Sequence, residues 1–138
     1  MPLKDTAHWM SFSENDYKVA QHLYEAFYPM PCEIICYHCQ QASEKAIKAV
    51  YIGYGLPGGI PKKHDLSFLL NQLRNHVPVS DELLEYADEL TPYGVTVRYP
   101  SEIRIDERDT KEALKHTKAI MDWASTSIQA LQNKSFDQ

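Results

Sequence analysis

Gln40-Gln41-Ala42-Ser43-Glu44-Lys45-Ala46-Ile47-Lys48-Ala49 contains no glycine and no proline, and carries alanines at 42, 46 and 49. Steps of four and three put those alanines on one face of a helix, a small-residue stripe that lets another helix approach closely. Glu44 stands four residues before Lys48, the favourable orientation for a helical ion pair. The stretch therefore reads as the middle of a long helix. Pro29 and Pro31 set its start, and it runs to about Tyr54. Gly53, Gly55, Pro57, Gly58, Gly59 and Pro61 then form a connection that no helix would tolerate.

Outward from this helix the rest of the chain also has helical periodicity. A first helix is expected from about Asp5 to Phe27, with Trp9, Tyr17, Ala20, Leu23, Tyr24 and Phe27 as core contacts. Ser13 is a good N-cap residue and marks a point where that helix would kink or restart. A third helix spans roughly Asp65 to His76, with Leu66, Leu69, Leu70 and Leu73 at helical spacing, and Pro78 stops it. Ser80 caps a short fourth helix in which Leu83, Ala87 and Leu90 share a face. Residues from Pro92 to Arg108 read as irregular, with Val95-Thr96-Val97 briefly extended. Asp109, with Glu112 three residues on, caps the last helix. Its stripe is Ala113, Thr117, Ile120, Ala124, Ile128 and Leu131, with fraying expected from Asn133. These patterns predict an all-α fold, an up-and-down antiparallel bundle of four to five helices in one domain over 1–138.

The 138 residues are enough for one domain with a sizeable core, and 43% hydrophobic residues is an ordinary globular composition. A formal charge of −5 argues against a broad basic surface for nucleic acid, though not against a local basic pocket. The longest apolar run is a few residues, too short to span a membrane. The N-terminus lacks the basic region, apolar stretch and cleavage site of a signal peptide, so a cytoplasmic location is expected.

Cys32, Cys36 and Cys39 have the C-x3-C-x2-C spacing of some iron–sulfur enzymes. Here they fall on one face of a helix that begins after Pro31, and such clusters sit in loops of much larger barrels. Cysteine also behaves as a small buried hydrophobe, so the three thiols are expected in the core, with no metal and no cofactor. The odd count and the expected compartment disfavour a disulfide. His8, His22, His76 and His116 form no ligand spacing.

Trp9 with Asp16 and Ala20, then QQASEKAIKA at 40–49, HDL at 64–66, RYP at 98–100 and a long amphipathic terminal helix follow in order. In that order they closely resemble the HEPN domain, over about Trp9 to Leu131. The resemblance implies a helical bundle, commonly a homodimer. It also implies an intracellular role in defence, toxin–antitoxin or nucleotide-linked systems. Many small HEPN proteins pair with a minimal nucleotidyltransferase, and others are ribonucleases. The ribonuclease branch uses an Arg followed four to six residues later by a His. The pairing suits metal-free RNA cleavage, because histidine moves protons near neutral pH and arginine grips phosphate oxygens. This chain departs from that pattern. Arg74 precedes His76 by too little, Arg108 precedes His116 by too much, and Arg98 and Arg104 have no His close behind.

Arg98 is the leading candidate, in an irregular segment with Tyr93 and Tyr99, a combination that suits holding a phosphate and stacking a base. A helix-capping or ion-pairing arginine is the alternative. Asp65 reads as a helix N-cap with His64 packed beside it. Alternatively, His64 with Lys62 and Lys63 forms the rim of a phosphate groove at a helix N-terminus. Glu44, Lys45 and Lys48 read as helix-surface ion pairing, and Gln40 and Gln41 as hydrogen-bonding across helices. Three functions follow: a dimeric module that pairs with a nucleotidyltransferase or binds nucleotide or RNA without cutting it; a metal-independent endoribonuclease using Arg98 with His64, His116 or Tyr99; or a purely structural interaction domain.

Overall fold

The computed structural model describes residues 2–96 and 104–136. Arg98 and Tyr99, with Val97 and Glu102 beside them, lie outside the described residues. The elements are α1 (Pro2–Ala26), α2 (Cys32–Tyr54), α3 (Leu66–Leu73), α4 (Asp81–Leu90), the single turn α5 (Tyr93–Thr96) and α6 (Glu107–Phe136). No strand occurs among the described residues.

α2 is the centre of the molecule. Only a narrow stripe of it reaches solvent, while Ile35, Cys36, Cys39, Ala42, Ala46, Ile47, Ala49 and Val50 are fully buried. α1 packs antiparallel on it through small residues, Thr6, Ser13 and Ala20, spaced by seven and all buried. Ser13 does not kink α1. Its hydroxyl donates to the Ala42 carbonyl at 2.6 Å, a distance that only the alanine stripe of α2 permits. α1 starts at Pro2, before the expected Asp5, and ends at Ala26. Phe27 therefore leaves the core face and is 54% exposed, its ring against the edge of His22.

The connection after α2 starts at Gly55, whose left-handed backbone (φ 56°, ψ 43°) closes the helix by accepting the turn no L side chain adopts readily. It then folds back along α2, so that His64 meets Glu44 while Tyr51 donates to the Leu69 carbonyl at 2.7 Å. α3 therefore runs in the same sense as α2. Asp65 caps α3 by accepting from the Phe68 amide at 3.1 Å, and Ser80 caps α4 by accepting from the Leu83 amide at 3.0 Å. α3 ends at Leu73, short of His76, in a turn in which the Val77 amide donates back to the Leu73 carbonyl. α4 returns antiparallel to α3, and α6 antiparallel to α4, with the Trp123 indole donating to the Pro78 carbonyl at 2.8 Å.

Two sequence expectations shift here. Tyr93–Thr96 forms a helical turn, not an extended piece, because Gly94 and Val95 donate back to Thr91 and Pro92. α6 begins one turn early: the Asp106 carboxylate accepts from the Asp109 amide (2.8 Å) and the Asp109 carboxylate accepts from the Asp106 amide (3.2 Å). The cap is therefore Asp106, with Asp109 as its reciprocal partner, a capping box one turn upstream of the Asp109–Glu112 pair. At its other end α6 continues past Asn133 to Phe136. The stripe from Ala113 to Ile128 is buried as expected. No helix among the described residues is long and apolar enough to cross a membrane.

Candidate functional site

Glu44 is the organising group. Its side chain is 7% exposed, a setting in which a lone carboxylate would be costly. Lys48 donates to Oε2 at 2.8 Å and Gln40 Nε2 donates to Oε1 at 3.1 Å. His64 Nδ1 lies 3.1 Å from both oxygens. Burial pulls the Glu44 carboxyl upward, but the hydrogen bonds from Lys48, Gln40 and His64 outweigh it and leave the group below its ordinary value. Glu44 is thus an ionised hub held by three neighbours, and Lys48 is stretched over the Trp9 ring, 5.7 Å from its centroid.

Beside this hub is a cleft of about 570 Å³ between α2, the start of α3 and α5. Its walls include Tyr37, Gln40, Gln41, His64, Thr91 and Gly94. The hub residues of α2 reach it because residues 37, 40, 41 and 44 cluster on one side of the helix. α5 approaches closely because residue 94 is glycine: a Cβ there would lie 2.9 Å from Gln40 Cδ. His64 is at the cleft rim with 80% of its side chain exposed. Lys62 and Lys63 are exposed next to it, with the Lys63 ammonium 5.8 Å from the Phe68 ring centroid. Of the three, His64 lines the cleft, while Lys62 and Lys63 precede it on the exposed connection.

Tyr93 does not join them. It lies half-buried in a second cleft of about 520 Å³ between α4 and α6, with Arg108 and His116. Burial, reinforced by the nearby Cys36 and Asp109, pushes its phenol upward. His116 is stacked on Tyr86 (4.1 Å, 11°), with Nδ1 2.8 Å from Glu89 and Nε2 3.4 Å from Glu112. Sequence spacing singled out neither Glu89 nor Tyr86, since they lie on a different helix from His116. A third cluster also escaped it: Asp16 of α1, 14% exposed, meets His38 Nδ1 at 2.9 Å and accepts from Lys45. The α1–α2 antiparallel register creates this cluster, and no local motif announces it.

The three cysteines are free and buried. Burial pushes the Cys36 and Cys39 thiols up to about 12, despite contacts to Thr110 and Thr117 that favour the thiolate. Such thiols are inert packing groups rather than nucleophiles or ligands.

The family model of the HEPN domain matches residues 6–128 of this chain. The chain belongs to the HEPN domain family. Among solved structures it is similar to the crystal structure of TT1696 from Thermus thermophilus, at 24% identity and a TM-score of 0.75, covering 88% of this chain and 97% of that one. It is also similar to the crystal structure of ST0689, an archaeal HEPN homologue, at 24% identity and a TM-score of 0.71, covering 89% of this chain and 97% of that one. At that identity the likeness is one of fold. No curated protein matches the chain.

Proposed function

We propose that this HEPN protein is a binding module that takes a nucleotide or RNA segment without cutting it. In this reading it acts as a homodimer beside a minimal nucleotidyltransferase in a defence or toxin–antitoxin-like system. The observation that carries the reading is the cleft at the Glu44 hub. It offers an aromatic ring (Tyr37), two amides (Gln40 and Gln41) and His64, with the exposed Lys62 and Lys63 just before it in the chain. Ring, amides and cations match the base and phosphate of a nucleotide. The carboxylate of the hub is ionised and engaged by Lys48, Gln40 and His64, which disfavours general-base work there. The α1 surface supports the dimer: Phe12 and Val19 are exposed there with His8, Asn15 and His22 between and beyond them, a row without Asp, Glu, Lys or Arg at steps of four and three.

The test is incubation of the purified chain with mixed RNAs in EDTA, alongside Arg98→Ala. RNA is expected to remain intact while AMP or RNA raises the melting temperature, because a ligand of the native state must stabilise it. Cleavage that disappears in Arg98→Ala would replace this reading with that of a metal-independent ribonuclease.

A further inference from the structure

The hub fixes the orientation of an amide that faces the cleft. An ionised carboxylate only accepts hydrogen bonds, so Gln40 has to turn Nε2 toward Glu44 (3.1 Å). The other N–H of that nitrogen reaches the His64 carbonyl at 3.4 Å. Gln40 Oε1 is thereby left facing Gln41, whose Nε2 donates to it at 2.7 Å. A flipped Gln41 would set two carbonyl oxygens against each other. Gln41 is therefore held with Oε1 and one N–H unused, and it makes no other side-chain bond among the described residues. It is half-buried in the cleft wall.

Tyr37 lies one helical turn before Gln41 on the same face, and its ring is braced edge-to-face by His38 at 5.6 Å and 75°. A planar base lying on that ring presents an edge to the Gln41 amide. Resting on the nucleotide-binding reading above, we propose that Gln41 is a specificity residue that selects adenine. Its carbonyl accepts from the 6-amino group and its free N–H donates to the neighbouring ring nitrogen. Glutamine pairs with the N6/N7 edge of adenine in this two-bond manner in nucleic-acid readout. Adenine shows a donor beside an acceptor on both sides of the 6-amino group. In the orientation that pairs adenine, guanine and hypoxanthine bring O6 to the same place, an acceptor against the Gln41 carbonyl. Unpaired polar contacts of this kind are what make a site selective.

Calorimetric titration of the full chain with AMP, GMP and IMP tests the assignment, because AMP and IMP differ at the 6-position. AMP is expected to bind roughly tenfold or more tightly than IMP or GMP. Gln41→Leu should bring that ratio close to one with the helical circular-dichroism spectrum retained; Gln41→Ser gives the same readout if the leucine variant does not fold. Glu44→Gln should also erode the ratio with Gln41 still in place, because a neutral amide at 44 no longer dictates which way Gln40 points. Equal binding of AMP and IMP by the wild type, or a preference that survives Gln41→Leu, would overturn the assignment and leave the nucleotide-binding reading standing. Absence of binding by all three nucleotides would overturn the assignment, and the binding reading falls with it if RNA also leaves the melting temperature unmoved.

Discussion

A buried acid and two buried thiols behave differently in this protein because their partners differ. Glu44 has three hydrogen-bonding neighbours and sits below its ordinary value, so the unfolded chain takes up its proton first. The sign follows: Glu44 stabilises the fold above the ordinary glutamate range, and that contribution fades as pH falls through its lower folded value. Urea midpoints of wild type and Glu44→Gln should therefore converge between about pH 6 and about pH 3. A constant gap between the two curves would contradict the hub. Cys36 and Cys39 have only weak hydroxyl contacts to oppose their burial. At about pH 8 both should stay silent toward a disulfide reagent in the native protein and react on addition of denaturant, since the thiolate is the nucleophile. The Glu44–Lys48 pair was legible from spacing alone, and so was the burial of the cysteines. The third partner, His64, was not, because twenty residues and a folded-back connection separate it from Glu44.

Helix ends show where local sequence determines structure and where it is ambiguous. Asp65 and Ser80 were readable as caps because each opens a segment whose apolar residues recur at helical spacing, with no competing side-chain acceptor just upstream. At α6 the sequence offers two overlapping capping boxes, Asp106–Asp109 and Asp109–Glu112, and the upstream one forms. The earlier start adds a turn, and it lets Thr110 donate to the Asp106 carbonyl from a fully buried position. Asp106→Ala should lower the midpoint of a denaturant titration, and Glu112→Ala should lower it much less at that helix end. A larger loss from Glu112→Ala would restore the downstream cap. Ser13 illustrates the opposite limit: its cap-like identity serves a helix crossing instead, a role fixed by the facing alanines rather than by its neighbours in sequence.

The molecule as a whole is arranged around α2, with α1 antiparallel to it and α6 running in its own sense through Cys39, Ser43 and Thr117. Both neighbours come close only because the contact residues are small. Ala46→Leu should therefore destabilise the fold by about 1–3 kcal/mol, seen as a lower urea midpoint, because an added side chain in a filled interface forces the helices apart. A neutral result would mean the crossing has slack. The helical class was legible because every long element has a 3.6-residue period, whereas the cleft was not, because α2, the returning connection and α5 meet there only after folding. The chain has two tryptophans, and the fold sends them to opposite duties. Trp9 lies under the Lys48 ammonium that serves the Glu44 hub, while Trp123 ties α6 to the α3–α4 turn through Pro78. Trp123→Phe would leave one intrinsic fluorophore whose colour and intensity respond to the charge directly above it. The state of the Glu44–Lys48 pair could then be read by emission, with no dye attached.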